Sequence, residues 1–299
     1  MKSSYKLKIK PLFLFVIFFT LASKINAQGI AYIHDSRGFL GRLNVETQEA
    51  SLVGDMGVVM TDVAFASNGS LFGISFTGLY RINTETAQVS FIGNHGIPGG
   101  NALVFSPSGM LYAMGSDSTR LYRINPSSGS SSDLGNIGYS SAGDLAYSEG
   151  RLYLSTNSND LIEVVLQPSV SANYIGPLGF SSVFGLATGP DQTLYGITGN
   201  TLLTIDTSTG AGTIFGSFAG DGFSQSFGSS FPGESSFEDF SLSEISSDMV
   251  KLRWNGAFGG SYSVQYTSQL EGTWIDATNQ PTYEGAGVWS WALTEGINE

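Results

Sequence analysis

The chain has 299 residues, of which 41% are hydrophobic and 13% charged, with 39 glycines and a net charge of −12. That composition supports a sizeable core in one large or two ordinary domains, and so acidic a surface disfavours nucleic acid and anionic lipid as partners. There is no cysteine, which excludes disulfides, thiolate metal sites, covalently attached c-type haem, a cysteine nucleophile and a lipid anchor on cysteine.

Residues 1–27 read as a signal peptide. Lys2, Lys6, Lys8 and Lys10 precede an apolar run from Pro11 to Ala22. That run is too short to span a bilayer comfortably. Cleavage is predicted after Ala27, with Ile25 an imperfect match to the usual small residue. Five of the 13 basic residues and none of the 25 acidic ones lie in this segment, so the mature chain carries −17. The expected location is secreted or cell envelope, with no membrane span left after cleavage.

From Gln28 to Pro232 the sequence repeats. A pair of apolar residues recurs at Ala31-Tyr32, Leu71-Phe72, Leu111-Tyr112, Leu152-Tyr153 and Leu194-Tyr195, in steps of 40, 40, 41 and 42. A glycine closing each unit recurs at Gly54, Gly93, Gly135, Gly176 and Gly216. Within each unit, short β-branched and aromatic runs lie between Gly, Asn, Ser and Thr clusters, which is a strand-and-turn pattern. Ser70–Gly93 shows it most cleanly, with strands at Leu71–Ile74, Leu79–Asn83 and Val89–Ile92, and Asp62–Phe65 upstream as a fourth. Four strands per unit of about 40 residues predict an all-β, five-bladed β-propeller with four-stranded blades. The first unit lacks its first strand. By spacing, a late strand near Phe223–Phe231 should supply it and close the ring, leaving no open sheet edge.

A linker is expected at 233–239, and 240–299 reads as a small immunoglobulin- or fibronectin-like β-sandwich. All four tryptophans, Trp254, Trp274, Trp289 and Trp291, lie there. Met249–Trp254 and Tyr262–Tyr266 alternate, and Val288–Leu293 forms a further strand. Such a sandwich would have one more strand after Glu299, so the module reads as incomplete at its C-terminus.

The repeats LYRINTETAQVSFIG and LLTIDTSTGAGTIFG resemble blades of bacterial exported propellers of the YVTN/WD-repeat-like superfamily. The string containing Leu252, Trp254, Tyr262, Val264, Tyr266, Leu270 and Trp274 resembles a β-sandwich module at the ends of secreted bacterial proteins. These motifs specify architecture and imply no catalytic residue.

Candidate chemistry is sparse. His34, placed between the second and third strands of the first unit, and His95, in the connection leaving the second, read as solvated loop residues. No G-x-S-x-G elbow or assembled triad is visible. Asp62 and Asp144 start first strands, which line a propeller's channel, and are the metal candidates, with Ca²⁺ as the ion. Two acidic positions of five do not make a ring, and strand-end capping is the competing reading. Asp206-Thr207-Ser208-Thr209-Gly210 has the form of a turn found in quinone-binding propellers, but its residues suffice to explain a turn. The repeated aromatics Tyr32, Phe72, Tyr112, Tyr153 and Tyr195 read as packing between blades. Trp289 and Trp291, two apart on one strand, are the ligand-binding candidates, for a glycan, against a sandwich-core reading. Asn68-Gly69-Ser70 fits a glycosylation sequon and, equally, a hairpin turn. Two functions follow: a non-catalytic exported scaffold binding a protein or glycan at the cell surface, on a propeller rim or the terminal module; or a propeller-type hydrolase or lyase acting on a carbohydrate or lactone with a channel metal. Fold does not choose between them.

Overall fold

A computed structural model describes residues 29–220 and 226–233 and, beyond these, only the backbones of short strands. The repeat region is a five-bladed β-propeller of antiparallel four-stranded blades, to which blade 1 adds the two-residue strand Ala219–Gly220, paired parallel with Glu49–Ala50 at its outer edge. Blade 2 (Asp62–Phe65, Leu71–Ile74, Gly78–Ile82, Val89–Asn94) shows the plan, with strands ordered from the channel outward. Blades 3, 4 and 5 begin at the channel with Gly100–Phe105, Ser141–Ser148 and Gly185–Thr188. Blade 1 takes its three outer strands from Ile30–Asp35, Phe39–Asn44 and Glu49–Asp55. Its innermost strand is Ser226–Ser230, paired antiparallel with Ile30–Asp35. The late strand predicted from spacing therefore closes the ring.

Because consecutive strands are antiparallel, the connections alternate between two ends. Turns joining strands 1–2 and 3–4 lie at one end, called lower here. Turns joining strands 2–3, and crossovers to the next blade, lie at the other, upper end.

The core is divided among the seams between blades. Five buried apolar clusters each draw on two adjacent blades; one joins Phe72, Ile74 and Leu79 of blade 2 to Leu103, Phe105 and Leu111 of blade 3. The repeated aromatics do the packing expected of them. Tyr32 meets Phe65, and Phe72 meets Phe105, each with centroids 5.2 Å apart, while Tyr195 meets Phe231 at 5.8 Å.

The recurring fourth-strand glycine has one structural duty. In all five blades a β-bulge opens opposite it between strands 3 and 4. The bulged glycine then presses on the 3–4 turn of the following blade. Gly54 meets Thr86 and Ala87, Gly93 meets Ser128 and Gly129, Gly135 meets Val170, Gly176 meets Thr209 and Gly210, and Gly216 returns to Gln48 of blade 1. The turns themselves are fixed by side-chain caps: Asn44, Asn83, Asn125 and Asp206 each accept a backbone N–H two residues on, at 2.8–2.9 Å. That local bond accounts for Asp206–Gly210.

Outside the propeller, Ser241–Ile245, Val250–Asn255, Val288–Leu293 and Thr282–Gly285 form an antiparallel sheet in that order. Val16–Phe18 pairs with Gln265–Thr267. The sandwich expected over 240–299 otherwise falls outside the described residues. No helix among the described residues is long and apolar enough to cross a membrane.

A methyl group at Gly93 or Gly176 would collide with a backbone carbonyl of the next blade, whereas at Gly216 it would meet only the flexible end of Gln48. We expect Gly93→Ala and Gly176→Ala each to cost about 2–3 kcal/mol in urea unfolding, and Gly216→Ala less than about 1 kcal/mol. Equal costs at all three would refute the turn-contact account.

Candidate functional site

The innermost strands turn one edge toward the channel, and that edge carries backbone groups without a ladder partner. Val63, Leu103, Leu145, Leu186 and Ser229 occupy one equivalent level of the five strands, as their pairing to the second strands shows. Two carboxylates serve four of these five N–H groups. Asp62 Oδ1 accepts from Val63 (2.7 Å) and Oδ2 from Leu103 of blade 3 (2.6 Å). Asp144 Oδ1 accepts from Leu145 (2.7 Å) and Oδ2 from Leu186 of blade 5 (2.7 Å). Each acid thus stitches its own blade to the next. Asp62 is fully buried and Asp144 nearly so.

The remaining inner strands use other side chains. Ser230 Oγ of blade 1 accepts from Phe65 N of blade 2 at 3.2 Å. Asn101 Nδ2 of blade 3 donates to Ser141 O and Ala142 O of blade 4, at 3.3 and 3.1 Å. Thr61 Oγ1 of blade 2 donates to Gly100 O of blade 3 at 2.8 Å. Phe184 of blade 5 stacks on Phe227 of blade 1, with centroids 5.4 Å apart and planes 9° from parallel. These last residues begin the inner strands and so rim the upper mouth.

The histidines are not loop residues in solvent. His34 lies within the second strand of blade 1 and has no exposed surface, and His95 is 3% exposed. His95 is structurally committed: Nε2 donates to Ser75 O at 2.9 Å while Nδ1 accepts from Ile97 N at 3.0 Å. His34 is different, since among the described residues neither ring nitrogen makes a well-formed hydrogen bond beyond a weak interaction with the Asp35 backbone. Its place in the repeat belongs to Ile74 in blade 2, Met114 in blade 3 and Ile197 in blade 5, all buried. Gly228, its cross-strand partner, makes room for it. A β-carbon there would overlap both His34 Nε2 and Asp62 Oδ1. Desolvation lowers the His34 pKa from 6.5 to about 4, against the opposing effect of neighbouring Asp35.

His34 has company. Asn101 Oδ1, Ser141 Oγ, Ser155 Oγ and Asn200 Oδ1 are also buried without a partner among the described residues. Ser155, wholly buried in blade 4, stands at the same repeat position as His34. All five side chains lie at the upper end. Buried polar atoms in this state call for water or a ligand group. Sequence reasoning missed this set, although aligning the repeats would have shown His34 and Ser155 as polar intrusions into an apolar position.

Of the candidates drawn from the sequence, Asp62 and Asp144 share one level of the channel wall and are engaged by backbone donors. Among the described residues no group of three or more His, Cys, Asp or Glu is placed to hold a metal ion. Trp289 and Trp291 sit on the strand Val288–Leu293, opposite Trp254 and Leu252 in register. Their side chains lie outside the described residues.

No protein-family model and no curated protein matches the chain. Solved structures do. In the crystal structure of a nidogen/laminin complex, one chain is similar at 12% identity and a TM-score of 0.51, over 67% of this chain and 97% of that one. A gluconolactonase from Xanthomonas campestris is similar at 12% identity and 0.49, over 78% and 80%. Virginiamycin B lyase from Staphylococcus aureus aligns at 12% identity and 0.39, over 93% and 99%. At such identities the likeness concerns the fold, that of the β-propellers.

Two measurements test the buried polar groups. Asp144→Ala strands two buried N–H groups and should cost about 3 kcal/mol or more in chemical denaturation, with Asp144→Asn, which keeps one acceptor, costing roughly half. A loss below about 1 kcal/mol would show that the stitch is not made. For His34, the folded pKa lies below the unfolded one, so the unfolded chain binds the extra proton first. Stability should be flat above about pH 6.5 and fall by about 3 kcal/mol toward pH 4. His34→Ile should remove most of that slope and raise stability at pH 7. His95, whose pKa burial also lowers, accounts for the remainder. An unchanged slope in His34→Ile would contradict the burial of this imidazole.

Proposed function

We propose that the protein is an exported, non-catalytic binding scaffold that takes its ligand at the upper end of the propeller. One observation carries the reading: His34, Asn101, Ser141, Ser155 and Asn200, which carry buried polar atoms poorly satisfied among the described residues, gather at that end, below a mouth rimmed by Thr61, Asn101 and the Phe184–Phe227 stack. At the lower end four of the five seams are filled by aromatic pairs. A ligand with both hydroxyl and apolar faces suits the upper end, which keeps glycans and protein loops as the partner classes. The nidogen/laminin complex is an instance of a propeller of this fold in a protein assembly. The signal-peptide pattern of residues 1–27 supports a secreted or cell-envelope location, and the acidic balance argues against nucleic acid. The terminal module, through Trp289 and Trp291, is the second place for a glycan.

The alternative, a hydrolase or lyase acting on a carbohydrate or lactone with a channel metal, is favoured by one feature: the poorly satisfied imidazole of His34 bordering the same space as Asp62 Oδ1.

The test is a glycan array and a partner capture with the secreted protein. The comparison uses an upper-end variant, Phe76→Ser with Asn157→Ala, both exposed positions on upper turns, and Trp289→Ala. Binding lost in the upper variant and kept in Trp289→Ala is the expected result. Binding lost only in Trp289→Ala moves the site to the terminal module. A melting temperature that rises with added calcium and falls with a chelator would favour the enzyme reading over the scaffold.

A further inference from the structure

Three successive blades carry arginine at one place on the third strand, opposite the repeated aromatic. Arg42 pairs in register with Tyr32, Arg81 with Phe72 and Arg123 with Tyr112. The ring seats the guanidinium, with Arg42 5.3 Å above Tyr32 and Arg81 5.0 Å above Phe72. In blade 1 the following blade then completes the site. Arg42 Nη2 donates to Thr84 O at 3.0 Å and to Glu85 Oε1 at 2.7 Å, both in the 3–4 turn of blade 2. Arg42 Nε donates to the Tyr32 hydroxyl at 2.9 Å. The chain thus displays the partner this arginine takes: a peptide carbonyl followed at once by a carboxylate.

Counting along the third strand, the position of Glu85 is Ser127 in blade 3 and Gln167 in blade 4. Neither supplies a carboxylate. Among the described residues, the ion pairs involve Arg37, Arg42, Arg120 and Arg151, and not Arg81 or Arg123. At Arg123 the place is also open. A groove of about 360 Å³ lies there between the two lower turns of blade 3, lined by Met110, Arg123, Asn125, Ser130 and Ser132 among others. No residue of the blade 4 turn, 166–170, contributes to its wall.

We propose that this lower groove docks an acidic peptide segment of a partner protein, whose carbonyl and carboxylate take at Arg123 the places that Thr84 and Glu85 take at Arg42. The groove supplies what such a segment needs besides the cation. Ser130, Ser132 and Asn125 offer hydrogen bonds, and Met110, 43% exposed, offers an apolar contact. The chain's overall negative charge opposes an acidic partner at a distance. Screening limits that repulsion to roughly 8 Å at physiological salt, so the local guanidinium decides the contact. This surface is separate from the upper end, and the two stand or fall independently.

The experiment titrates the peptide acetyl-Asn-Thr-Glu-Thr-amide, the chain's own 83–86 turn, into the full chain and follows the Arg123 Nε–H resonance by NMR. We expect a saturable shift at Arg123, at least tenfold weaker binding when the peptide carries Gln for Glu, and the same loss for Arg123→Gln read from the resonances of Ser130 and Ser132. Gln167→Glu, which puts a carboxylate on the neighbouring turn, should also weaken binding. Arg123 is exposed, so Arg123→Gln should melt with the parent protein. Equal binding of the two peptides, or undiminished binding by Arg123→Gln, would overturn the proposal. So would glucuronate shifting Arg123 at a lower concentration than the peptide does, which would assign the groove to an acidic glycan instead.

Discussion

The inner edge of the ring sets the constraint on which the fold depends. Each innermost strand leaves a row of backbone N–H and C=O groups without a sheet partner, buried where water has little access. A buried amide without a partner costs about 1–3 kcal/mol, so five unserved edges would exceed the net stability of an ordinary domain. A carboxylate has two acceptor oxygens, and the geometry gives each one N–H from a different blade. Asp62 and Asp144 in alternate blades therefore suffice for four of the five equivalent amides. The small residues Ala102, Gly185 and Gly228 at the same level of the other blades are then expected, since a third acid would find no unserved pair of donors. The cross-blade bonds also tie blade 2 to blade 3 and blade 4 to blade 5, while the strand from the far end of the repeat closes the ring at blade 1.

Much of this was legible in the sequence, and for a physical reason. A repeat leaves the same side chain wherever the same contact recurs, so the aromatic of the second strand and the glycine of the fourth could be counted along the chain. The closing strand followed from the count, although Ser226–Ser230 has poor strand propensity. Its pairing is enforced by the ring. What could not be read were contacts made once or twice. An acid at the place of Asp62 stands in only two of five blades, and its duty depends on an amide 41 residues away. His34 sits in a run, Ile30–Asp35, whose burial on both faces comes from two neighbouring blades. Judged alone, the histidine looks like the start of a turn. Aligned with Ile74, Met114 and Ile197, it is a polar group in a core position.

That substitution carries a thermodynamic argument. An isoleucine at this position satisfies blades 2 and 5, and burying an imidazole without well-formed hydrogen bonds costs several kcal/mol relative to an apolar side chain of similar size. Ser155 repeats the exchange in blade 4. Deviations from an otherwise consistent pattern tend to mark functional or strained sites. Here both fall on the same rung, beside the two carboxylates and near the upper mouth.

The two ends of the barrel thus do different work. At the lower end four seams pair aromatics, counting Tyr112 with Tyr147. The fifth has Thr188 where the other blades have Phe or Tyr. Arg42 and Arg81 lie over two of those rings, and Arg123 holds the equivalent place in blade 3. At the upper end the poorly satisfied polar groups are buried. A partner at the lower end would therefore meet a preformed surface. A ligand at the upper end has to satisfy groups the fold has left unsatisfied, and its binding energy would include relief of that cost. The tighter and more selective recognition should accordingly be found at the upper mouth, with the lower groove providing a weaker, charge-directed contact.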